Sequence, residues 1–257
     1  MKIGISSSCL YPEKIEDSLK KVGELGVKTA EIFVNSPSEI VSPIIDELKS
    51  IREYYGIEIR SVHPFTSAFE TFMFFTNYER RKKDSLDFYR GYFKAAEQLG
   101  AEMVVFHGGL SSSGYDPEYY AECYGRLHSA AKEYGAFVAH ENVREHLCCD
   151  PEYMKKLSDY TGDDFRMVLD IKQCRRSGFS EFDFIRLLGD KIAQVHISDF
   201  DEKHDCIAPG CGKYDFGKLF SALENAGYNN SALIELYRSN FGKVEELKTS
   251  MDYLNTI

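Results

Sequence analysis

The chain has 257 residues, of which 43% are hydrophobic and 28% charged, and its formal net charge is −10 at pH 7. The acidic balance argues against a nucleic-acid partner, because phosphate backbones are bound by basic surfaces. No apolar segment approaches the roughly 20 residues that a membrane-spanning helix needs, so we expect no membrane partner and a cytoplasmic location.

Eight short β-branched or apolar segments predict strands at residues 2–6, 29–34, 57–62, 102–107, 136–141, 166–171, 192–197 and 232–236. Helical patterns lie between them, at residues 12–25, 42–55, 80–99, 118–134, 150–161, 182–189, 216–226 and from 243 onward. Strands that alternate with helices predict parallel strands joined by crossover helices, as in α/β proteins.

Two architectures satisfy this alternation, an open doubly wound sheet and a closed barrel. The turn after the first strand, Ser6-Ser7-Ser8-Cys9, lacks the glycines of a dinucleotide-binding open sheet. A typical (β/α)8 barrel takes about 250 residues. We therefore predict one α/β domain at residues 1–257, a single (β/α)8 TIM barrel.

The seven cysteines indicate a reducing compartment. They form no CxxC pair, and an odd number leaves one over in any disulfide scheme. Cys148 and Cys149 are adjacent, and such neighbours rarely bridge to each other. We expect reduced and mainly structural cysteines, as in a cytosolic protein.

The third to the eighth predicted strands each end in a histidine or an acidic residue. These residues are His63, His107, Glu141, Asp170, His196 and Glu235. Because the carboxyl ends of barrel strands converge on one axis, we expect these side chains to lie together. Several carboxylates that close would repel one another unless a cation compensates them. Mixed carboxylate and imidazole ligation suits Mn²⁺, Mg²⁺, Co²⁺ or Zn²⁺, and the alternative is a buried ion-pair network without metal.

Strand alternation separates neighbouring candidates. If Glu141 points into the barrel together with Ala139, His140 points outward to the helices and is structural. His128 lies in a helical pattern and His146 in a predicted loop, so neither has a predicted role in chemistry.

These motifs resemble those of the xylose-isomerase-like barrel superfamily, which includes sugar epimerases, inosose dehydratases, hydroxypyruvate isomerases and endonuclease IV. The resemblance spans nearly the whole chain and rests on Glu141-Asn142, Asp170, Val195-His196-Ile197-Ser198-Asp199, Glu235-Leu236-Tyr237, His107-Gly108-Gly109, and Pro209-Gly210-Cys211-Gly212 with Asp215. It implies one divalent metal ion held by Glu141, Asp170, His196 and Glu235, with the substrate completing the coordination shell. Many relatives have a histidine where this chain has Gln173, and this difference argues against a trinuclear zinc site.

The resemblance favours a metal-dependent isomerase or epimerase that acts on a sugar or a sugar phosphate. A metal that chelates a carbonyl and the adjacent hydroxyl acidifies the C–H between them and stabilises the enediolate that follows. Glu141 and Glu235, three strands apart, are the predicted catalytic pair that removes and returns this proton. A dehydratase of an inosose-like cyclitol would use the same enolisation step.

Substrate contacts are predicted for five further residues. His63, His107 and Gln173 would orient hydroxyls or polarise the carbonyl, and His204 and Arg238 would close over the substrate from loops.

Two other functions remain alternatives, an endonuclease IV-like phosphodiesterase and a non-catalytic sugar-binding barrel. The acidic charge and Gln173 count against the first alternative. The pair of potential bases, Glu141 and Glu235, counts against the second, because a protein that only binds sugar has no need for both.

A phenylalanine-rich stretch follows the third strand, and we expect it to be a loop at residues 65–75. Its five aromatic residues are Phe65, Phe69, Phe72, Phe74 and Phe75. An exposed apolar patch of this size predicts a cover, which would be either bound substrate or a second subunit of a homo-oligomer.

Overall fold

The computed structural model describes residues 1–257 and shows a closed barrel in which each strand is parallel to the next. The strands are β1 Lys2–Ser6, β2 Thr29–Val34, β3 Glu58–Pro64, β4 Met103–Phe106, β5 Phe137–Glu141, β6 Met167–Asp170, β7 Ile192–Ile197 and β8 Ser231–Ile234. Closure is completed by β8, which pairs with β1 from Lys2 opposite Ser231 to Ile5 opposite Ile234. The predicted fold class is confirmed.

Helices surround the sheet, and none of them is long and apolar enough to cross a membrane. They are α1 Ile15–Glu24, α2 Ile44–Tyr55, α3 Ser67–Phe74, α4 Glu79–Leu99, α5 Pro117–Lys132, α6 Pro151–Thr161, α7 Ile171–Ser177, α8 Glu181–Leu188, α9 Phe216–Asn225 and α10 Glu245–Leu254. Two short helices, α3 and α7, come directly after β3 and β6, so they lie at the carboxyl-end rim of the barrel.

The long helix α4 shows why these segments fold onto the sheet. Its apolar side chains recur every three or four residues and form one buried face with Tyr89, Tyr92, Phe93, Ala96 and Leu99. Fully burying a large apolar side chain contributes about 1.5–3 kcal/mol, so this face fixes the helix against the barrel.

The barrel interior has an apolar layer below a polar one. Met103 and Val105 on β4, Ala139 on β5, Val168 on β6 and Ala193 on β7 form a separate buried cluster inside the sheet. Two residues further along, the inward position is occupied by Glu141 on β5, by Asp170 on β6 and by His107 directly after β4. The period-2 alternation of a strand therefore aligns all of these polar side chains on the carboxyl-end side of the apolar layer.

His140 shows the outward half of the same alternation. Its ring lies outside the barrel, 4.5 Å from the Tyr124 ring and 5.8 Å from the Phe165 ring between centroids. As predicted, it contributes to packing and not to the cluster at the strand ends.

The expected loop at residues 65–75 is wrong, since most of it forms α3. The helix turns Glu70 and Phe74 inward, whereas Phe69 and Phe72 are 59% and 63% exposed. Two of the five aromatic residues thus lie uncovered in the single chain, and the homo-oligomer stays a prediction.

Candidate functional site

Four side chains that the sequence predicts to be metal ligands meet at the carboxyl end of the barrel. One ligand atom each of Glu141, Asp170, His196 and Glu235 lies within 4.8 Å of the others. His196 is at the centre, with Nδ1 3.5 Å from Glu141 Oε1 and 3.7 Å from Glu235 Oε2. Three of the four residues are buried, and the Glu235 side chain is 12% exposed.

Asp170 is held in place by the start of α7 and by Asn142, which directly follows β5. Its Oδ1 caps the helix by accepting a hydrogen bond of 2.8 Å from Gln173 N. Asn142 accepts from Asp170 N at 2.7 Å and donates to Asp170 O at 3.0 Å. With Oδ1 and the backbone fixed, Oδ2 is directed into the cluster.

Two buried atoms of the cluster, His196 Nδ1 and Asp170 Oδ2, make no well-directed hydrogen bond. Their charged neighbours are Glu141 Oε1 at 3.5 Å and Lys172 Nζ at 3.1 Å, respectively. Buried polar atoms are nearly always paired, so two such atoms beside two further carboxylates indicate room for a cation. One imidazole nitrogen and three carboxylates form a donor set suited to a divalent metal such as Mn²⁺, Co²⁺ or Zn²⁺. The residues present therefore fit a divalent ion.

Glu31, on β2, is a member of the site that the sequence analysis missed. It is fully buried, and its Oε2 lies 3.1 Å from His196 Nε2 while its Oε1 lies 3.2 Å from His63 Nδ1. Ser61 and Gln194 donate to the same carboxylate at 2.7 and 2.8 Å. Glu31 thus orients both imidazoles from below.

His63 and His107 continue this network to Glu141. Their Nε2 atoms are 2.9 Å apart, and His107 Nε2 lies 2.8 Å from Glu141 Oε2. His63, His107 and Glu141 form a second group whose ligand atoms lie within 4.8 Å of one another.

Lys172, in the first turn of α7, was also missed. Its Nζ is 2.8 Å from Glu235 Oε2 and 3.1 Å from Asp170 Oδ2, and the side chain is 5% exposed. The sequence places Lys172 between Asp170 and Gln173, but only the helical conformation of α7 shows that its side chain points into the cluster.

The electrostatics of the cluster show a shortage of positive charge. Burial raises the pKa of Asp170 to about 7, although the Lys172 ammonium opposes this shift. Burial would also raise the pKa of Glu141, but its contacts with the imidazoles of His107 and His196 outweigh burial and lower the pKa well below its usual value. The carboxylate of Asp170, which lies beside those of Glu141 and Glu235, is therefore not readily ionised without a further cation.

Glu70, on α3, holds the backbone after β4. Its Oε2 accepts hydrogen bonds of 2.7 Å from His107 N and 2.6 Å from Gly108 N, and its Oε1 accepts one of 2.6 Å from the Tyr89 hydroxyl. Gly108 has φ 81°, and a Cβ there would lie 1.7 Å from the Tyr120 hydroxyl oxygen. Sequence reasoning placed Glu70 in a loop and so missed this contact.

A cavity of about 510 Å³ opens above the cluster. This is within the size range of pockets that bind small molecules. Five of the predicted residues line it, namely His63, His107, Glu141, Gln173 and Glu235.

The structure does not bring the other two predicted substrate residues to this cavity. The His204 side chain is 60% exposed and its Nδ1 bonds to Asp201 at 3.0 Å. Arg238 donates to the backbone carbonyls of Phe241 and Gly242 at 3.0 and 3.2 Å. Both side chains are engaged by their own loops, so a substrate contact for either residue stays a prediction.

The loop after β7 is organised by Asp199. Its Oδ2 accepts from Gly210 N and Gly212 N at 3.0 and 2.9 Å, and its Oδ1 accepts from Phe200 N and Tyr214 N at 2.8 and 2.9 Å. A Cβ at Gly212 would lie 2.3 Å from Phe200 O, so only glycine permits this close approach.

A family model described as "Xylose isomerase-like TIM barrel" matches residues 19–257. The chain belongs to this family. Among its relatives is an uncharacterised protein of Methanocaldococcus jannaschii, 26% identical over 250 residues that cover 91% of this chain and 83% of the relative.

Solved structures of xylose isomerase-like barrels share the fold. D-psicose 3-epimerase of Clostridium cellulolyticum H10, in a structure with D-tagatose, is 17% identical with a TM-score of 0.81, covering 100% of this chain and 99% of the epimerase. The IOLI protein with a bound zinc atom is 19% identical with a TM-score of 0.79, covering 100% and 97%. The structural neighbours are sugar epimerases and related isomerase-like barrels, and at these identities the likeness shows the fold.

Proposed function

We propose that this protein is a divalent-metal-dependent isomerase or epimerase of a sugar or sugar phosphate. The observation that carries the proposal is the convergence of Glu141, Asp170, His196 and Glu235 within 4.8 Å at the base of an open cavity. His196 Nδ1 and Asp170 Oδ2, which are buried without a hydrogen bond, support metal binding at this point. Sugar epimerases among the structural neighbours support the substrate class.

Glu141, Asp170, His196 and Glu235 would hold one Mn, Zn, Co or Mg ion. When bound, such an ion supplies Lewis acidity that makes the C–H next to a sugar carbonyl easier to deprotonate. The low pKa of Glu141 keeps its carboxylate ionised and able to accept that proton. Glu235 follows β8, three strands around the barrel from Glu141 on β5, so it would return a proton from a different direction, as an epimerisation requires.

Cavity residues outside the metal set would position the sugar. His63 and His107 present imidazoles beside Glu141, and Gln173 accepts from Arg144 N at 3.1 Å through Oε1, so its amide nitrogen is available to a hydroxyl. The free sugar and the phosphorylated sugar are both consistent with these groups. A cytoplasmic location completes the proposal, and all seven cysteines are free thiols.

The first experiment is elemental analysis of the purified protein beside Glu235→Ala, with Glu202→Ala as control, because the Glu202 side chain is 84% exposed. We expect about one divalent ion per chain, lost in Glu235→Ala and kept in the control. The loaded protein is then assayed for interconversion of ketohexoses such as D-tagatose and D-psicose, with and without chelator. If the protein takes up no metal even after reconstitution, the proposal fails.

One observation favours a second candidate, an endonuclease IV-like phosphodiesterase. His63, His107 and Glu141 form a group that could hold another ion next to the first. The net charge of −10 opposes binding to DNA. Two or more zinc ions per chain, together with chelator-sensitive cleavage of abasic-site DNA, would favour this function over the first.

A further inference from the structure

Lys172 places a fixed positive charge inside the group of proposed metal ligands. Its Nζ lies within 3.1 Å of one oxygen of Asp170 and one of Glu235. No other lysine or arginine forms an ion pair with Glu31, Glu141, Asp170 or Glu235. The ammonium is therefore the one permanent cation that stabilises these buried carboxylates from within the chain.

We propose that Lys172 is an internal counter-ion, which competes with the divalent metal for Asp170 and Glu235 and is displaced when the metal binds. This inference rests on the metal site proposed above. The carboxylate oxygens that the metal would use already accept the ammonium, and two cations on the same oxygens repel each other strongly in a buried site. Metal binding is thus an exchange of one cation for another, not the filling of an empty set of ligands.

The surroundings of Lys172 provide space for the displaced ammonium. The residue lines both the main cavity and a second cavity of about 570 Å³ on its other side. The ring of Tyr237 lies 5.2 Å from Nζ, a distance at which an aromatic face attracts a cation. A lysine side chain has a flexible four-carbon stem, so rotation of the side chain moves the charge without moving α7.

The exchange has a consequence for the protein without metal. Because the ammonium neutralises part of the cluster, the metal-free chain keeps Asp170 and Glu235 near their final positions. The metal then binds more weakly than four free ligands would allow, since it must first displace Lys172.

The test compares Mn²⁺ binding to the metal-free wild type and to Lys172→Met by calorimetry at one pH. Methionine keeps a long flexible stem without the charge. Lys20→Met is the matched control, because it removes the same charge from an exposed position of α1 that lines neither cavity. We expect Lys172→Met to bind Mn²⁺ at least about tenfold more tightly than wild type, with Lys20→Met unchanged.

A second measurement uses the wild-type chain and does not depend on the folding of a variant. Lysines are acylated with and without Mn²⁺, and modification of Lys172 is compared by mass spectrometry with that of exposed Lys203. We expect Mn²⁺ to increase the labelling of Lys172 several-fold while Lys203 is unchanged. Labelling of Lys172 that Mn²⁺ does not alter would overturn the exchange.

The binding outcomes separate this inference from the proposed function. Equal Mn²⁺ affinity in wild type and Lys172→Met, or weaker binding in the variant, leaves the metal site standing and removes the competing role of Lys172. Failure of both proteins to bind Mn²⁺ overturns both proposals. Tighter binding in Lys172→Met supports both.

Discussion

The imidazole of His196 lies between two carboxylates, that of Glu31 next to Nε2 and that of Glu141 next to Nδ1. Glu31 Oε2 is 3.1 Å from Nε2, whereas Nδ1 is directed to the cluster at the cavity floor. A carboxylate next to Nε2 favours a hydrogen on that nitrogen, so the Nδ1 lone pair becomes available to a ligand. Carboxylate–histidine pairs of this type orient histidines that bind metals.

We therefore predict that Glu31→Gln weakens divalent metal binding about 10–100-fold, as other losses of a partner behind a metal-binding histidine do. The amide leaves the side-chain volume nearly unchanged but removes the charge that fixes the imidazole. Mn²⁺ affinity measured by calorimetry tests this prediction. Glu39→Gln serves as control, since the Glu39 side chain accepts hydrogen bonds only from Asn35 N and Ser36 N in the loop after β2. A metal affinity equal to that of wild type would show that Glu31 has no part in positioning His196.

Replacing the proposed base tests catalysis separately from sugar binding. We predict that Glu141→Gln lowers kcat about 10²–10⁴-fold on a ketose substrate at saturating metal, because the amide cannot accept the proton. Steady-state kinetics with metal content measured on the same sample distinguish this loss from loss of the ion. Glu145→Gln, with a side chain 76% exposed, is the control on the same loop. Full turnover in Glu141→Gln would contradict the proposed mechanism. If the wild type itself binds sugar without any turnover, the protein is a non-catalytic sugar-binding barrel.

The contacts of Glu70 predict a large effect on stability. Its carboxylate accepts hydrogen bonds from two backbone amides and from the Tyr89 hydroxyl. In a glutamine, the NH2 group replaces one of the two oxygens and cannot accept from the donors that face it. We expect Glu70→Gln to lower the free energy of unfolding by about 2–3 kcal/mol, measured by urea denaturation. Glu79→Gln, whose carboxylate is 76% exposed and pairs with Lys82, should change it by less than about 0.5 kcal/mol. Similar values for the two variants would mean that Glu70 does not hold the segment after β4.

The polar residues at the strand ends were predictable from the sequence, because a closed barrel brings the carboxyl ends of all its strands to the same face. Glu141, Asp170 and His196 each follow a run of apolar or β-branched residues, and closure of the sheet brings such ends together. The fold and the meeting of these side chains were therefore predictable.

Glu31, Glu70 and Lys172 were not predicted, and each was missed for a physical reason. Glu31 lies in the middle of β2, where a single acid among apolar residues does not mark a strand end. Its inward direction follows from alternation, so a carboxylate inside an otherwise apolar strand was the available signal. Glu70 and Lys172 depend on two short helices at the rim, whose positions are set by tertiary contacts and not by a long hydrophobic pattern.

The four hydrogen bonds to Asp199 make the carboxyl-end rim of the barrel stiff over β7, whereas other parts of the rim are more adaptable. Over β7, any insertion or bulky substitution would have to break the contacts of one buried carboxylate, so this sector resists change. Elsewhere on the rim, Tyr11 and Tyr237 line the cavity while 55% and 45% exposed. The contacts of their side chains are with other side chains and not with the backbone: Tyr11 packs edge-on against Phe33, and the Tyr237 hydroxyl accepts from Arg176. In evolutionary terms, ligand preference can change at Tyr11 and Tyr237 while the residues at the strand ends stay untouched.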